Sequence, residues 1–305
     1  MKLLMTGATG MIGQHIQHLC RKRGIALNYL TRDQHNIKND PQCRGFLWNP
    51  KSGTIDQNCL RGVDKIVHLA GASVAKRWTP SQKKAIIKSR LDSAQLLYDL
   101  LEQTDNGVTQ FISASAIGIY PDSMSHLYTE ESTEVADDFL GKVVQKWEKA
   151  ANRFMELGIE VTKIRIGLVL ARESGFFPKI KAPIDNFMGT YLGSGNQWQS
   201  WIHIRDLARL FLFVAEEEQT GIFNGVAPHP VKQKNLIDCI AKHRYKSIKL
   251  PPLPRFALCL FFGQMAKMVL ASQLVMSKRL ESIGFKFKFH HLENAVIDLL
   301  EEEED

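Results

Sequence analysis

Short apolar runs alternate along the chain with longer segments whose apolar residues recur every three or four positions. Runs of this length are typical of buried strands, and the longer period is typical of helices packed on a sheet. The expected strands are KLLMT (2–6), ALNYLT (26–31), GFLW (45–48), KIVHLAG (65–71), QFISASAIGIY (110–120) and IRIGLVL (164–170). This alternation predicts an α/β fold with a Rossmann-type doubly wound parallel sheet.

The alternation loosens after about residue 171, where a segment rich in Gly, Pro and aromatic residues is suited to the wall of a cleft. The segment DLARLFLFVAEE (206–217) predicts a helix that returns to the sheet. We therefore expect a dinucleotide-binding domain over residues 1–170, with 200–230 returning to it. Residues 171–305 should form mainly a smaller C-terminal substrate lobe.

The most apolar stretch is FALCLFFGQMAKMVLASQLVM (256–276), which Gln264, Lys267 and Gln273 interrupt. A membrane-spanning helix needs roughly 20 predominantly apolar residues, so this stretch is too broken to span. We expect a buried helix or helix pair here, and no membrane as a partner.

The segment TGATGMIG (6–13) joins the first expected strand to the first expected helix. Its glycines follow the spacing G-x-x-G-x-x-G, which keeps side chains away from the helix N-terminus. The N–H groups there can bind a diphosphate, and the third glycine lets the helix pack closely on the strand. We expect a cofactor site whose contacts from this turn are Gly7, Thr9, Gly10, Met11, Ile12 and Gly13.

The second expected strand ends at Thr31, and Arg32 and Asp33 follow directly. NAD-selective sites usually place an acidic side chain here for the ribose hydroxyls, whereas a guanidinium suits the additional phosphate of NADP. We therefore expect NADP, held in part by Thr31 and Arg32, with NAD as the less favoured alternative. Two alternatives stay open: Asp33 points toward the ribose, or Arg32 is a solvated surface charge.

Composition and charge exclude several classes of protein. The 305 residues are 44% hydrophobic and 23% charged, enough for one large core. The 39 Lys and Arg exceed the 32 Asp and Glu by 7, but they are dispersed without interleaved aromatic residues, so we expect no nucleic-acid partner. The basic segment KHRYKSIK (242–249) should be a solvated face, and the terminal EEEED (301–305) a solubilising tail.

The cysteines and the N-terminus favour a reducing compartment. Five cysteines are scattered without CxxC pairs, which indicates neither a metal site nor a disulfide framework. The chain runs from Met1 straight into the glycine-rich segment, without the apolar core of a secretory signal. We expect a cytoplasmic protein, monomeric or homodimeric.

Four segments resemble the extended short-chain dehydrogenase/reductase superfamily: TGATGMIG (6–13), HLAG (68–71), SASA (113–116) and VTKIRIG (161–167). Four more are similar to its epimerase-like subfamily with a C-terminal domain of unknown function: RWTPSQKKAIIKSR (77–90), LGSGNQWQSWIHIRDLARL (192–210), FNGVAPHPV (223–231) and KRLESIGFKF (278–287). The resemblance implies an NADP(H)-binding Rossmann domain with a substrate lobe built mainly from the C-terminal third, and it does not define a reaction. We expect an NADP-dependent oxidoreductase or epimerase of a small polar substrate, with nucleotide-linked compounds among the candidates. The resemblance also implies cofactor contacts from Arg90 and Val169. The small residues that end the strand KIVHLAG would let the adenine and ribose side of a dinucleotide lie against Leu69, Ala70 and Gly71.

The resemblance also implies a catalytic serine and a Tyr-x-x-x-Lys pair, in which tyrosine transfers a proton and lysine lowers its pKa. Ser115 matches the serine. When Glu148 is aligned with the usual downstream glutamate, Leu140 takes the tyrosine position and Val144 the lysine position. Neither side chain can ionise.

We therefore expect proton transfer, where it occurs, to use Tyr120, with His203 as the alternative donor. The competing interpretations are that Tyr120 only packs and that His203 only supports a loop. A protein that senses NADP(H) without turnover is the second function that the sequence leaves open.

Overall fold

The computed structural model describes residues 1–38 and 40–301. Residues 302–305, most of the EEEED segment, lie outside the described residues. The strands, in chain order, are β1 (Lys2–Thr6), β2 (Ala26–Thr31), β3 (Cys43–Asn49), β4 (Thr54–Ile55), β5 (Lys65–His68), β6 (Gln110–Ala116), β7 (Leu127–Tyr128), β8 (Glu160–Ile166), β9 (Leu168–Leu170), β10 (Trp198–Gln199), β11 (Trp201–His203), β12 (Gly221–Gly225), β13 (Val231–Lys232) and β14 (Leu274–Val275).

Within the described residues, the central sheet has eight strands in the order β12-β8-β6-β5-β1-β2-β3-β4. All neighbours in it are parallel except β3 and β4, which form an antiparallel edge. The strand order reverses between β1 and β5, and the carboxyl ends of both strands meet at that point. Ligands of open α/β sheets bind at this edge.

The helices are α1 (Met11–Arg23), α2 (Pro80–Gln103), α3 (Phe139–Asn152), α4 (Phe177–Asp185), α5 (Ile204–Glu216), α6 (Gln233–His243), α7 (Arg255–Phe262), α8 (Ala266–Leu270), α9 (Lys278–Ser282) and α10 (Leu292–Leu300). Helices α2 and α3 begin at side-chain caps: Thr79 accepts from the Gln82 N–H, and Asp138 accepts from the Gly141 N–H. Such caps satisfy N–H groups that the helix itself leaves without partners.

The core has two layers because side chains of a strand alternate between the faces of the sheet. In β1, Leu3 and Met5 pack with α1 and α5, whereas Leu4 packs with α2 and the end of α3. A third cluster joins α4, α6 and α10 around Trp201. The C-terminal segment is tied back by β14, which pairs with β7.

The structure confirms the predicted fold class. Two predicted strands are shorter than expected, because β5 ends at His68 and β6 ends at Ala116, where a 3-10 turn follows. Both shortened ends lie at the carboxyl edge of the sheet, where the chain leaves the hydrogen-bonded ladder to form loops.

The prediction of a buried helix or helix pair over 256–276 is wrong for α7. Gly263, at a φ of +58°, ends α7, and a 3-10 turn leads into α8. Leu258 is buried, but Phe256, Leu260 and Phe261 are exposed. So short a helix can pack only one side on the body of the protein. No helix in residues 1–38 and 40–301 combines the length and apolarity needed to cross a membrane.

Candidate functional site

The glycine-rich turn lies between β1 and α1 and leaves no room for side chains. Gly7 has a φ of +71°, and a Cβ there would lie 3.0 Å from the Leu69 carbonyl carbon. A Cβ at Gly13 would lie 2.4 Å from the Gly7 carbonyl oxygen. Gly10 caps α1 without a side chain, and Thr9 and Gly10 are exposed. A diphosphate can therefore approach the backbone of the turn closely and accept hydrogen bonds from the first N–H groups of α1.

A buried chain of hydrogen bonds holds the loop after β5 against this turn. The Thr6 hydroxyl accepts from the N–H groups of Leu69 and Ala70, at 3.1 and 3.0 Å, so its own proton goes to His68 Nδ1, 2.9 Å away. His68 Nε2 therefore carries the ring proton and donates to Ser93 Oγ at 3.2 Å. Burial and the nearby Arg90 lower the pKa of His68 to about 3, which keeps the ring neutral.

Arg90 extends from α2 to the same loop. Its Nη1 donates to the carbonyls of Ala72 and Ile86, and its guanidinium lies 4.6 Å from the ring centroid of Trp147. Burial lowers the pKa of Arg90 to about 10, so it stays a cation at neutral pH. Its Nε is buried and lacks a hydrogen-bond partner among the described residues. A buried donor without a partner costs free energy, so Arg90 has capacity for one more acceptor beside Gly71.

Arg32 and Asp33, at the end of β2, have different surroundings. The Asp33 carboxylate accepts from the His35 N–H at 2.9 Å and caps a 3-10 turn over residues 34–36. The Thr31 hydroxyl lies 3.3 Å from the Asp33 carbonyl oxygen and N–H. Arg32 is exposed and has no partner among the described residues. The acid is thus engaged locally, while the guanidinium is available to a ligand.

The remaining predicted contacts border the same turn. Val169, in β9, pairs with Ile202 in β11 and packs against the cluster that contains β1 and α1. A Cβ built at Gly175 would lie 3.6 Å from Met11 Sδ and 3.7 Å from the Val169 carbonyl oxygen. The loop after β9 therefore approaches the start of α1.

Ser115 lies on β6, directly opposite Arg165 of β8 in the sheet register. Its hydroxyl donates to Glu148 Oε1 at 2.6 Å, and Arg165 binds both oxygens of the same carboxylate, at 2.8 and 3.0 Å. Burial alone would raise the pKa of Glu148, but the bonds from Arg165 and Ser115 outweigh it and lower the pKa. Ser115 thus rests on a buried ion pair.

Tyr120 extends this polar cluster. Its hydroxyl accepts from Arg165 Nη1 at 2.9 Å and lies 2.8 Å from Asn224 Oδ1 and 3.0 Å from the Thr129 carbonyl, one of which receives its proton. The side chain is 1% exposed. Burial raises the pKa of the phenol, although Arg165 opposes the rise. Tyr120 is therefore protonated and beside a cation, and its role in proton transfer stays a prediction.

His203 lies apart from that cluster, at the start of α5. Its Nδ1 accepts from the Arg205 N–H at 3.1 Å, and its ring stacks on Phe289. Nε2 lies 3.2 Å from Asp298 Oδ2, but it is poorly aligned for a hydrogen bond. Burial lowers the pKa of His203 to about 3. The structure therefore does not bring His203 together with Ser115 and Tyr120.

The face of α3 toward the loop after β6 is apolar. Val144 is buried with Ile117 and Val226, and Leu140 lies against Gly118. Lys142 and Lys146 on the same helix are exposed and point elsewhere.

Glu148 entered the sequence alignment only as a landmark, and Thr6, His68 and Arg165 were not among the predicted site residues. Thr6, His68 and Arg165 are polar residues inside apolar strands, Glu148 lies on an amphipathic helix, and all four are buried. A polar residue within a predicted core strand was the signal that could have found Thr6, His68 and Arg165, because buried polar groups need partners. Glu148, on a helix with charged neighbours, carried no such signal.

The doubly wound sheet and its glycine turn define a NAD(P)-binding α/β protein. The chain belongs to the NAD dependent epimerase/dehydratase family, whose model matches residues 3–225. Residues 253–299 match a domain of unknown function, DUF1731. Both matches confirm the resemblance found in the sequence.

The similarity to individual relatives extends along nearly the whole chain. An epimerase family protein of Staphylococcus aureus (strain NCTC 8325 / PS 47) is 36% identical over 98% of this chain and 99% of its own. The crystal structure of the human epimerase family protein SDR39U1 (isoform 2) with NADPH has a TM-score of 0.86 at 28% identity, covering 98% of this chain and 99% of that chain. The nucleoside-diphosphate sugar epimerase from Corynebacterium glutamicum has a TM-score of 0.78 at 29% identity, covering 98% of this chain and 58% of that one.

Proposed function

We propose that the protein is an NADP(H)-dependent oxidoreductase or epimerase of a small polar substrate, with nucleotide-linked compounds among the candidates. One observation carries the choice of NADP. At the end of β2, Asp33 caps a 3-10 turn, while Arg32 is exposed and without a partner among the described residues. A free guanidinium next to an engaged carboxylate favours a phosphate over bare ribose hydroxyls.

The residues around the turn fit such a cofactor. Gly7, Gly10 and Gly13 leave the start of α1 open for a diphosphate, and Arg90 has a buried Nε that lacks an acceptor. In this proposal Thr31 and Arg32 hold the adenosine end, and Val169 borders the nicotinamide. The nicotinamide supplies or accepts a hydride when the cofactor is bound.

For proton transfer we propose Ser115 and Tyr120. Both touch the Glu148–Arg165 pair, and Arg165 Nη1 lies 2.9 Å from the Tyr120 oxygen, where it would stabilise a phenolate. A cation beside a tyrosine performs the electrostatic part of the task that lysine has in a Tyr-x-x-x-Lys pair. Because Tyr120 is buried, contact with a substrate requires Thr129 or Asn224 to move.

A second function, NADP(H) sensing without turnover, is favoured by a different observation. Each candidate proton donor is already bonded within the protein: Ser115 to Glu148, Tyr120 to Arg165, and His203 to the Arg205 N–H. The Leu140 and Val144 side chains on α3 cannot transfer a proton.

The relatives support the first proposal. The human structure contains NADPH, and the C. glutamicum protein is described as a nucleoside-diphosphate sugar epimerase.

The test is a titration with NADPH and NADH, followed by a screen of carbonyl substrates monitored at the nicotinamide absorbance. We expect NADPH to bind more tightly and at least one substrate to be turned over. Tight NADPH binding without turnover across a broad panel would support the sensor, and failure to bind either dinucleotide would rule out both functions.

A further inference from the structure

Helix α7 presents an apolar face that no other part of the described chain covers. The side chains of Phe256, Leu260 and Phe261 are 76%, 75% and 68% exposed. They are large, and they belong to one helix of eight residues. Contiguous exposed apolar side chains of this size mark an interaction surface.

The opposite side of the same segment holds it against the body. Leu258 and Ala266 are fully buried, and Met265 and Met268 pack with Trp78 at the start of α2. Both sides of the segment are apolar, and only one is used for folding. The helix is therefore packed on the protein along one side, and the exposure of its other side does not result from a failure to pack.

The two chain segments that meet beside this face carry basic residues and no acidic ones, and acidic residues near them come from other elements: Asp122 accepts from the Ser272 N–H, and Asp138 precedes Phe139, which packs on Trp78. No Asp or Glu occurs between Asp238 and Glu281, or between Asp64 and Asp92. The two segments meet at the turn after α7, where Lys83 bonds Gln264 and Arg77 lies beside Gly263. Within the first segment, Arg255 and Lys267 flank the apolar residues and are exposed.

This charge distribution decides between possible occupants. In a two-fold symmetric dimer through α7, the basic residues of one copy would face those of the other, without acidic partners in these segments. An anionic lipid surface complements them instead, and large apolar side chains flanked by Lys and Arg are typical of helices that lie in a membrane interface.

We propose that α7 docks the protein reversibly on an anionic membrane surface, with Phe256, Leu260 and Phe261 inserted among the lipids. This revises the sequence-based expectation that membranes are not partners. Neither the cofactor site nor the proton-transfer groups take part in the contact.

The test is co-sedimentation of the full chain with vesicles of phosphatidylcholine alone and of phosphatidylcholine mixed with phosphatidylglycerol. We expect partitioning onto the mixed vesicles, weaker partitioning onto the neutral ones, and loss of both the preference and most of the binding in high salt. Leu260→Ser and Phe261→Ser should each weaken partitioning about tenfold. Met155→Ser is the matched control, because Met155 is 58% exposed and lies in the 3-10 turn Arg153–Leu157 after α3.

NADPH titration of every variant separates loss of docking from loss of folding, since the cofactor site should be unaffected. Wild-type protein that stays in solution with both vesicle types would overturn the proposal. So would a concentration-dependent dimer that Leu260→Ser and Phe261→Ser abolish, because α7 would then bind a second copy.

Discussion

Glu148 and Arg165 form a two-pronged ion pair buried between α3 and β8, with Nε 2.8 Å from Oε1 and Nη2 3.0 Å from Oε2. Their side chains are 10% and 8% exposed. Ser115 and Tyr120 bond to this pair from two sides. The pair therefore fixes the positions of both proposed proton-transfer residues.

Glu148→Ala should lower the free energy of unfolding by about 3–5 kcal/mol, because it leaves the Arg165 cation buried without its partner. Urea unfolding measures the change, and Glu131→Ala, at an exposed glutamate, is the control. Replacing both residues by methionine should cost less than the sum of the single changes. A loss of unfolding free energy below about 1 kcal/mol for Glu148→Ala would mean that water reaches Arg165 and that the ion pair is not buried.

Tyr120→Phe keeps the ring and removes the hydroxyl that Arg165 and Asn224 bind. The unfolding free energy should fall by about 1–3 kcal/mol as these groups lose a partner. On a substrate found by the screen, we expect turnover to fall about 100-fold or more while the NADPH dissociation constant is unchanged. Undiminished turnover would remove Tyr120 as the proton donor.

Two buried histidines should make stability depend on pH below about 6.5. His68 and His203 have folded pKa values lowered to about 3, so the unfolded chain binds protons that the folded chain cannot. Their contribution is therefore complete above pH 6.5 and is lost as the pH falls toward 3. His68 should reduce the unfolding free energy by about 2 kcal/mol between about pH 7 and about pH 5, and His203 by less, because Asp298 Oδ2 lies 3.2 Å from its Nε2 and favours the charged ring.

His68→Gln isolates one of these contributions. The variant should lose stability at neutral pH, yet its difference between the two pH values should be smaller than that of the wild type by about 2 kcal/mol. His35→Gln, at the surface, is the control. An unchanged difference in His68→Gln would show that His68 does not stay neutral in the folded protein.

Gly13→Ala tests the close contact between α1 and the turn. The new Cβ would lie 2.4 Å from the Gly7 carbonyl oxygen, so backbone must move. Because the clash is with backbone, overpacking should lower the free energy of unfolding by about 2–3 kcal/mol, more than the roughly 1 kcal/mol that alanine gains over glycine in a helix. Urea unfolding measures this change, and calorimetry should show weaker binding of NADPH. Gly107→Ala, whose Cβ would meet nothing closer than 4.0 Å, should change neither quantity. If Gly13→Ala and Gly107→Ala had the same unfolding free energy and the same affinity for NADPH, the turn would tolerate the displacement of its backbone.

The parts of the site that depend on local sequence were predictable. The positions of Gly7, Gly10 and Gly13 after an apolar run predict both the turn and the start of α1, because neighbouring residues alone determine them. The hydrogen-bond partner of the Asp33 carboxylate was not predictable, since this carboxylate could face the ribose or cap the next turn. The structure shows that it caps the turn.

Contacts between distant segments were not predictable from one sequence. Glu148 and Arg165 lie on a helix and a strand whose docking decides that they meet, and spacing along the chain carries no sign of it. The apolar composition of 256–276 likewise did not show which side of α7 would pack, because both sides carry the same kinds of residue. Only tertiary packing distinguishes Leu258 from Leu260.

Arg32→Ala tests the central claim, that this chain holds NADP through the guanidinium at the end of β2. Isothermal titration calorimetry should show NADPH affinity reduced about 10- to 100-fold, as expected for lost charge-assisted hydrogen bonds, with NADH affinity nearly unchanged. Arg44→Ala, at an exposed arginine on β3, should alter neither. Equal losses for NADPH and NADH, or no loss for either, would contradict the assignment of the phosphate site to Arg32.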